Sequence, residues 1–486
     1  MQRLIMVLGI GLLLAACSDN GGGDEDKSNL LCERHSDCGS GWLCNAGRSR
    51  CERGLTGGVW GVSPTRLVVG MSAALENGPT DLGRGMKAGI EAYFNFVNTQ
   101  LGGVHGRKLE LLALDDKYEP EPALDNVKKF VADKSVFAVM GSVGTPTAAV
   151  TVPYAVENAL LFFGAYTGAA LLRKDPPDRY VFNFRASYVQ ETAATVRYFT
   201  VLREPGIPVD NLAVLPQGED SAGTMDGYGQ SGFDGVAKAL KEKAQIEKSA
   251  IAYATYKRNT EDVEPAVKLM LKWLGSGKRV KSSDSKIHAA IVMVPTSGPA
   301  AAFVKAMLKE VSDIRGGRSQ GGAYGLSSEE LAEIRKVEDL AFSSVSFVGS
   351  NALADKLKAF GEYDDGETKR SYCEKVIISQ VVPPPDSNSS GVLQYKEQLK
   401  AYDGNLQPGF VSLEGYLVAR LFVQALQNQG PDLTTESFIG TLEGLKDVNL
   451  SIGTTLTFDQ NDHQASDKIW GTALTRSCTF DALDAF

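Results

Sequence analysis

The segment GSVGTPT, residues 141–147, combines residue types that can hold an anion at the start of a helix. It follows the apolar run VFAVMG, and threonine and proline are favoured at the N-cap and at the first helical position. A helix N-terminus offers free N–H groups and a partial positive charge to a negative or acceptor group. We therefore predict a buried strand and then a helix capped by Thr145. A hydroxyl that bonds only to its own helix is the alternative.

The seven cysteines form three groups with different expected chemistry. Cys17 ends the run MQRLIMVLGIGLLLAAC, in which a basic residue precedes an apolar stretch, as in secretory signals. In an exported chain, the other six fit a small two-bridge module and one long-range bridge between Cys373 and Cys478. A zinc site is the alternative for the first four, although they lack a Cys-x2-Cys pair. The pairing among those four stays open: Cys32, Cys38, Cys44 and Cys51.

The ending LAAC, residues 14–17, resembles the lipobox of bacterial lipoproteins, whose cysteine is lipidated after cleavage. We predict a signal peptide over 1–17, a glycine-rich acidic tether over 18–31 and a four-cysteine module over 32–53. An ordinary signal peptide with an incidental cysteine is the alternative. Ser18 does not resemble the aspartate signal for inner-membrane retention. We expect a lipid anchor in the cell envelope, on the periplasmic or extracellular side, with the outer membrane favoured.

Composition excludes several classes of function. The formal net charge is −9 and the basic residues are scattered, which argues against a nucleic-acid surface. The first half of the chain has no dinucleotide fingerprint, P-loop, G-x-S-x-G elbow or H-E-x-x-H pair. None of the four histidines accompanies a candidate nucleophile. We predict neither enzymatic activity nor a cofactor or metal.

From Arg66 onward, apolar strands alternate with amphipathic helices. RLVVGM, KLELLALDD, LAVLPQ, HAAIVMVP and SSVSFVG are predicted strands, and GRGMKAGIEAYFNFVN and SLEGYLVARLFVQALQNQ are predicted helices. Continuous apolar strands between helices indicate parallel sheets covered on both faces. The chain is long for one sheet, so we predict two α/β lobes, with YVFNFR and VIISQVVPPP as crossing segments.

Several of these segments, in this order, resemble the type I periplasmic solute-binding proteins, specifically the branched-chain amino acid group. They include RLVVGMSAAL, LLALDDKYEPEPALDNVKKF, VMGSVGTPTAAV, FFGAYTGAALLR, SLEGYLVARLFVQAL and TLTFDQNDHQASDKIW. The resemblance runs from about Arg66 to about Trp470. It implies two doubly wound, Rossmann-like lobes that are joined by three crossover segments and close on a ligand by a hinge motion.

The resemblance also implies the boundaries of the lobes. Lobe one would hold residues 63–184 and 384–454, and lobe two would hold residues 185–383 and 455–486. Both cysteines of the predicted long-range bridge then fall in lobe two, as a bridge within one lobe requires.

Positions in lobe one match those that hold an amino acid's carboxylate in the family. They are Thr145, Ala165 and Thr167, which offer hydroxyls and backbone contacts. From lobe two, Tyr228 in GYGQSGF matches a tyrosine that packs on the ligand when the cleft closes. Ser297 in VPTSGP, next to Thr296, matches another cleft contact at a strand end.

The sequence departs from the family at the position of the ammonium ligand. Amino-acid-binding members carry an acidic residue near the end of a lobe-two strand, where FVGSNALAD offers Ser350 and Asn351. An amide cannot supply the charge-assisted bond that a buried ammonium needs. We therefore expect the ligand to be a small polar metabolite, whether an amino acid, an amide or a carboxylate, and we predict that Asn351 contacts it.

The resemblance implies a lipid-anchored, monomeric solute-binding protein that serves an ABC permease and its ATPase. The alternative is a ligand-sensing or scaffold lipoprotein that works with a membrane receptor or another partner. The cysteine module and the long, charged segment from Lys257 to Ala341 would suit that alternative.

Overall fold

The computed structural model describes Leu31, Trp42–Asn45, Arg50–Arg53, residues 59–366, residues 368–484 and Phe486. It separates into two compact units, residues 1–58 and 59–486. Lipidation of Cys17, the tether and most of the four-cysteine module lie outside the described residues. In the first unit, β1 (Trp42–Asn45) and β2 (Arg50–Arg53) form an antiparallel hairpin whose register sets Cys44 opposite Cys51.

The second unit contains two sheets, each made by one of the predicted lobes. The sheet of lobe one is entirely parallel, in the order β4-β3-β5-β6-β7. Its strands are β3 (Arg66–Ala73), β4 (Lys108–Asp115), β5 (Ala138–Met140), β6 (Leu161–Phe163) and β7 (Val181–Phe182). Five parallel strands, of which the inner ones are buried between helices, confirm the doubly wound architecture for this lobe.

The sheet of lobe two is parallel at its centre and antiparallel at one edge. Its order is β10-β8-β11-β12-β15-β18-β19, with β9 also paired to β8, and β18 and β19 run antiparallel. These strands are β8 (Leu212–Gly218), β9 (Ala252–Tyr253), β10 (Tyr256–Lys257), β11 (Ile287–Val294), β12 (Val337–Ser344), β15 (Val376–Gln380), β18 (Trp470–Leu474) and β19 (Phe480–Leu483).

Two short hairpins lie outside these sheets. They are β13 (Glu362–Asp364) with β14 (Lys369–Ser371), and β16 (Val448–Asn449) with β17 (Thr455–Leu456). The second hairpin spans the lobe boundary that we predicted between residues 454 and 455.

Helices cover both faces of the sheets. They are α1 (Thr80–Gln100), α2 (Pro120–Ala132), α3 (Thr145–Glu157), α4 (Tyr188–Arg197), α5 (Gly227–Ala244), α6 (Glu264–Gly275), α7 (Ser297–Arg315), α8 (Ser328–Ile334), α9 (Ser350–Ala359), α10 (Ser390–Tyr402), α11 (Phe410–Gln429) and α12 (Thr435–Glu443). None of the described helices is long and apolar enough to cross a membrane.

Helices α1 and α11 pack unusually close together because glycines line their contact. A Cβ added at Gly89 would lie 1.9 Å from the carbonyl oxygen of Ser412, and one at Gly415 would lie 2.4 Å from that of Met86. The apolar face of α1 that the sequence predicted, with Met86 and Ile90, is buried there. This contact fixes the α1 and α11 N-termini at the edge of lobe one.

The predicted disulfide joins Cys373 and Cys478, whose Cα atoms are 5.4 Å apart. Cys373 lies just before β15, and Cys478 lies in the turn between β18 and β19. The bond therefore ties the antiparallel edge of the lobe-two sheet to its centre.

The chain crosses between the lobes beside paired backbone segments. Asn183 follows β7, donates its N–H to the carbonyl of His463, and accepts from the N–H of Ala465. Two of the crossing segments thus meet in a parallel bridge between Asn183 and Gln464, and residues 381–389 lead from β15 to α10. One prediction about the strands was wrong: SSVSFVG is not a strand. The strand β12 ends at Ser344, and Ser346–Val348 form a 3-10 turn.

Candidate functional site

Helix α3 begins at the cleft between the lobes, but its cap differs from our prediction. Gly144 is the N-cap, and its φ of 113° lies where side chains are strained. A Cβ there would also lie 2.5 Å from the Tyr118 ring. Thr145 is consequently the first helical residue, and its hydroxyl bonds the Thr167 hydroxyl at 2.7 Å and not its own helix. The simple capping alternative is therefore wrong.

The loop after β6 completes the lobe-one wall. Backbone bonds between Tyr166 and Ser142 and between Gly144 and Tyr166 hold this loop against the start of α3. Ala165 and Thr167 are buried, and the Thr167 hydroxyl accepts from the N–H of Ala169 at 3.3 Å. The three lobe-one residues that the resemblance implies as ligand contacts therefore lie in one wall: Thr145, Ala165 and Thr167.

Lobe two covers this wall with the N-terminus of α5. The Asp226 carboxylate caps that helix by accepting from the N–H groups of Tyr228 and Gly229. A Cβ at Gly227 would lie 3.3 Å from a Thr145 methyl carbon. Tyr228 is buried, and its hydroxyl donates to the carbonyl of Pro295 at 3.3 Å. The two helix N-termini thus face each other across the closed cleft.

Polar contacts join the lobes both in the buried interior and at the rim. Gln217 of lobe two donates to the Tyr118 hydroxyl of lobe one at 3.1 Å. Arg258 bonds the Glu119 carboxylate at 2.8 Å, and the Asn259 amide donates to the same carboxylate at 2.6 Å. The structure is therefore that of a closed clamp.

Five buried aromatic rings meet inside the cleft, and we call them the aromatic cluster. Phe347 lies at its centre, with ring centroids of four tyrosines 4.6–6.2 Å away. Such spacings are typical of favourable aromatic pairs. The members of the cluster are Tyr118, Tyr166, Tyr188, Tyr228 and Phe347. Of these, the sequence analysis named only Tyr228 as a site residue.

Ser297 and Asn351 lie at other places along the lobe interface. Ser297 starts α7, and its hydroxyl donates to Asp81 of lobe one at 3.5 Å. The side-chain oxygen of Asn351 accepts from the N–H of Phe410 at 3.0 Å. Asn351 also lines a separate groove of about 470 Å³, together with Lys358, Asp386, Lys396 and Phe480. Asn351 lies in α9, and the residues that reach the rings of the cleft are Ser346 and Phe347 in the preceding 3-10 turn.

A buried group of charges lies behind the cleft, where the lobes join, and we call it the hinge charge cluster. Arg185 lies 3.4 Å from the Glu414 carboxylate and 3.9 Å from that of Glu191. Its guanidinium also stacks 4.4 Å from the Tyr166 ring centroid. The Glu191 carboxylate accepts bonds from the backbone and hydroxyl of Ser346. Burial raises the pKa of Glu414 to about 7, although Arg185 opposes that shift.

The neighbouring carboxylates of Asp115 and Asp116 have structural roles. Asp115 accepts from the N–H groups of Leu75 and Glu76, whereas Asp116 accepts from the Ser72 hydroxyl at 2.7 Å and the Tyr118 N–H. Burial raises the pKa of Asp116 to about 6. The Asp116 bonds hold Tyr118 at a φ of 60°, which is rare for a tyrosine and turns it into the cleft. Among the described residues, no group of His, Cys, Asp and Glu is placed to hold a metal.

A family model described as periplasmic binding protein matches residues 67–311 and 339–478 of the chain. Among solved structures, a possible leucine/isoleucine/valine-binding protein from Rhodopirellula baltica SH 1 is 30% identical, with a TM-score of 0.69, and covers 87% of this chain and 97% of its own. A search of curated proteins finds no match.

More distant structures share the fold. A branched chain amino acid ABC transporter protein from Thermus thermophilus with bound valine is 14% identical, with a TM-score of 0.63, over 87% of this chain and 97% of its own. A fatty acid ABC transporter substrate-binding protein from Thermomonospora curvata is 16% identical, with a TM-score of 0.66, over 88% and 93%. The chain, with its two doubly wound lobes closed on a shared cleft, belongs to the periplasmic binding protein family.

Proposed function

We propose that this protein captures a small polar metabolite in the interlobe cleft and delivers it to an ABC importer outside the cytoplasm. The observation that carries the proposal is the buried pair of hydroxyls of Thr145 and Thr167 at the α3 N-terminus. A helix N-terminus with two hydroxyls is suited to a carboxylate or another acceptor group. The family membership and the relatives named as ABC transporter proteins support the same role.

In this proposal the lobes divide the contacts with the solute. Thr145, Thr167 and the backbone of Ala165 bind its acceptor group, and Tyr228 packs on its body. Ser297 and Asn351 complete the interface at the rim. The solute is a small polar metabolite, whether an amino acid, an amide or a carboxylate, because the sequence offers Ser350 and Asn351 where amino-acid-binding members carry an acidic residue.

The remaining parts of the proposal concern location and partners. The lipidated Cys17 tethers a monomer to the envelope, preferably to the outer membrane, and an ABC permease with its ATPase receives the solute. A Cys17→Ser variant should move from the membrane fraction to the soluble periplasmic or extracellular fraction and lose labelling by radioactive palmitate. Retention of both properties in Cys17→Ser would contradict the anchor.

A thermal-shift screen with amino acids, amides, carboxylates and aromatic acids tests solute binding. A solute that binds only the folded chain raises the midpoint with ln(1 + [L]/Kd), so a ligand at about 100 times its Kd adds about 2.7 kcal/mol. Calorimetric titration of each hit then compares two variants. Thr145→Ala should weaken binding about tenfold, since it removes one hydrogen bond to a charged or acceptor group.

Thr151→Ala is the matched control for that titration. Thr151 lies on the same helix and is also buried, but its hydroxyl donates to the carbonyl of Thr147 within α3. It should leave the affinity unchanged. Equal losses in the two variants would contradict the role of Thr145, and no hit at all with a folded protein would contradict solute capture and favour the scaffold alternative.

A further inference from the structure

The Tyr188 hydroxyl differs from the other hydroxyls of the aromatic cluster. Tyr118 accepts a hydrogen bond from Gln217, and Tyr166 and Tyr228 donate to backbone carbonyls. Within the described part of the chain, the Tyr188 hydroxyl completes no hydrogen bond, although the residue has no exposed surface. Because an unpaired hydroxyl is unfavourable in a buried place, this group points to a partner that the chain does not itself supply.

The fold holds Tyr188 against the lobe-one wall of the cleft. It is the first residue of α4, and its N–H donates to the carbonyl of Gly168 at 2.8 Å. A Cβ at Gly168 would lie 2.7 Å from the Tyr188 ring, so a glycine there lets the ring lie directly on the loop. Burial raises the pKa of Tyr188 to about 12, and the charge of Arg185 and the nearby Thr167 hydroxyl oppose that shift. The Tyr188 hydroxyl therefore lies beside the pair of threonine hydroxyls at the start of α3.

These three hydroxyls offer more protons than their surroundings accept. One proton is used in the bond between Thr145 and Thr167, and the Thr167 oxygen also accepts from the N–H of Ala169. The second threonine proton and the Tyr188 proton have no hydrogen-bond acceptor among the described residues. A carboxylate brings two acceptor oxygens and no donor, whereas a primary amide brings two further N–H protons. The three hydroxyls therefore suit a carboxylate better than an amide.

The charges behind this part of the wall also favour an anion. Arg173 donates to the carbonyls of Ala169 at 3.0 Å and of Arg185 at 2.8 Å, so two guanidinium groups lie behind the loop after β6. Burial raises the pKa of both facing carboxylates, Glu191 and Glu414, and that of Glu414 reaches about 7. Because Glu414 is then partly protonated near neutral pH, positive charge is in excess there.

We propose that Tyr188 is a specificity-determining residue of the cleft. Its hydroxyl donates a hydrogen bond to the carboxylate of the solute, beside the hydroxyls of Thr145 and Thr167. Tyr188 thereby selects a carboxylate, on an amino acid or on a simple acid, over the corresponding primary amide. The inference rests on the proposed function of the cleft and adds the residue that distinguishes the charged group of its solute from a neutral one.

Denaturant titrations of the full chain without solute test whether the protein itself satisfies this hydroxyl. Tyr188→Phe should leave the unfolding midpoint unchanged or raise it, because the substitution removes an unpaired polar group. Tyr416→Phe is the matched control, since Tyr416 is equally buried but its hydroxyl donates to the Gln398 side chain at 2.9 Å. It should lower the midpoint. An equal loss in Tyr188→Phe would show that the protein or a bound water already pairs with this hydroxyl, and would overturn the inference.

Calorimetric titrations with matched pairs of probes test the specificity. Each carboxylate that the solute screen finds is paired with its primary amide, beginning with isovalerate and isovaleramide and with phenylacetate and phenylacetamide. The wild type should bind the carboxylate of a pair more tightly. Tyr188→Phe should weaken carboxylate binding at least about tenfold and amide binding less, so the ratio of the two affinities should fall. Tyr416→Phe should keep the wild-type ratio. A merely structural role of Tyr188 would weaken both members of a pair alike, and an unchanged ratio would overturn the inference.

These measurements separate the inference from the proposed function. If the wild type binds solutes through Thr145 but binds carboxylates no more tightly than amides, the role of Tyr188 is overturned and solute capture is retained. The same holds if Tyr188→Phe binds carboxylates as tightly as the wild type does. If a folded wild type binds no solute of any class, both the proposed function and the inference are overturned.

Discussion

The wall of the cleft and the hinge behind it are both buried, yet they use opposite chemistry. The wall consists of neutral hydroxyls and aromatic rings, such as Thr145, Thr167 and Phe347. The hinge charge cluster holds Arg185 between two carboxylates, and all three side chains are at most 2% exposed. Neutral surfaces can separate and be rehydrated at modest cost, whereas an unpaired buried charge is very unfavourable. The difference indicates that the wall opens and that the hinge stays packed.

We expect the largest loss of stability from a substitution that removes the cation of the hinge charge cluster. Arg185→Met should lower the free energy of unfolding by about 3–5 kcal/mol, because two buried carboxylates lose their cation. Arg66→Met is the control, since Arg66 pairs with Glu110 at side chains that are 59% and 49% exposed. It should cost less than about 1 kcal/mol in the same denaturant titration. Similar losses in both variants would show that the buried charges of the hinge contribute no more to stability than an exposed ion pair.

The next effect is a pH dependence that belongs to the hinge. The folded pKa of Glu414 is raised from 4.5 to about 7, so the folded state keeps a proton that the unfolded state releases. Its contribution is complete below about pH 4.5 and is lost as pH rises through about 7. The wild type should therefore lose up to roughly 3 kcal/mol of unfolding free energy from this group between pH 5 and 8.

Glu414→Gln isolates that contribution, because the amide does not titrate. Denaturant titrations at several pH values should give a flatter profile for Glu414→Gln than for the wild type. Glu110→Gln, at an exposed carboxylate, should keep the wild-type slope. Parallel profiles for wild type and Glu414→Gln would show that Glu414 is ionised throughout this range.

We expect the smallest effect from a substitution that removes one hydrogen bond between the lobes beside the wall. Tyr118→Phe removes the hydroxyl that accepts from Gln217 across the lobes, a hydrogen bond worth about 1 kcal/mol. We expect a several-fold loss of solute affinity by calorimetry. Tyr402→Phe is the control, because its hydroxyl donates to Glu91 within lobe one and its side chain is partly exposed. If the two variants bind the solute equally well, the hydrogen bond between Gln217 and Tyr118 does not contribute to closure of the lobes on the solute.

Sequence reasoning succeeded where a local pattern, the number of cysteines or the family resemblance carried the signal. The predicted start of α3 was one residue too late, because Gly144 supplies a cap conformation that a threonine does not adopt. The long-range pair of Cys373 and Cys478 followed from an even number of cysteines and from the lobe boundaries. The parallel sheets followed from continuous apolar strands.

The central ring and the hinge were missed for physical reasons. SSVSFVG has the composition of a strand, which hid Phe347, whereas the strand is the preceding VEDLAFSS with two acidic residues. Arg185 and Glu191 are six residues apart, but Glu414 comes from a distant segment of the chain. Glu414 in particular lies inside a helix that is otherwise read as an apolar face. Pairing of such charges depends on the tertiary fold.

A crystal structure of the protein with the strongest hit of the solute screen tests the central claim most directly. The account predicts the solute between the lobes, with its acceptor atom within about 3.2 Å of the Thr145 hydroxyl and the bond between Thr145 and Thr167 broken. A solute bound in the groove lined by Asn351 and Lys358, with the bond of the two threonines intact, would contradict it.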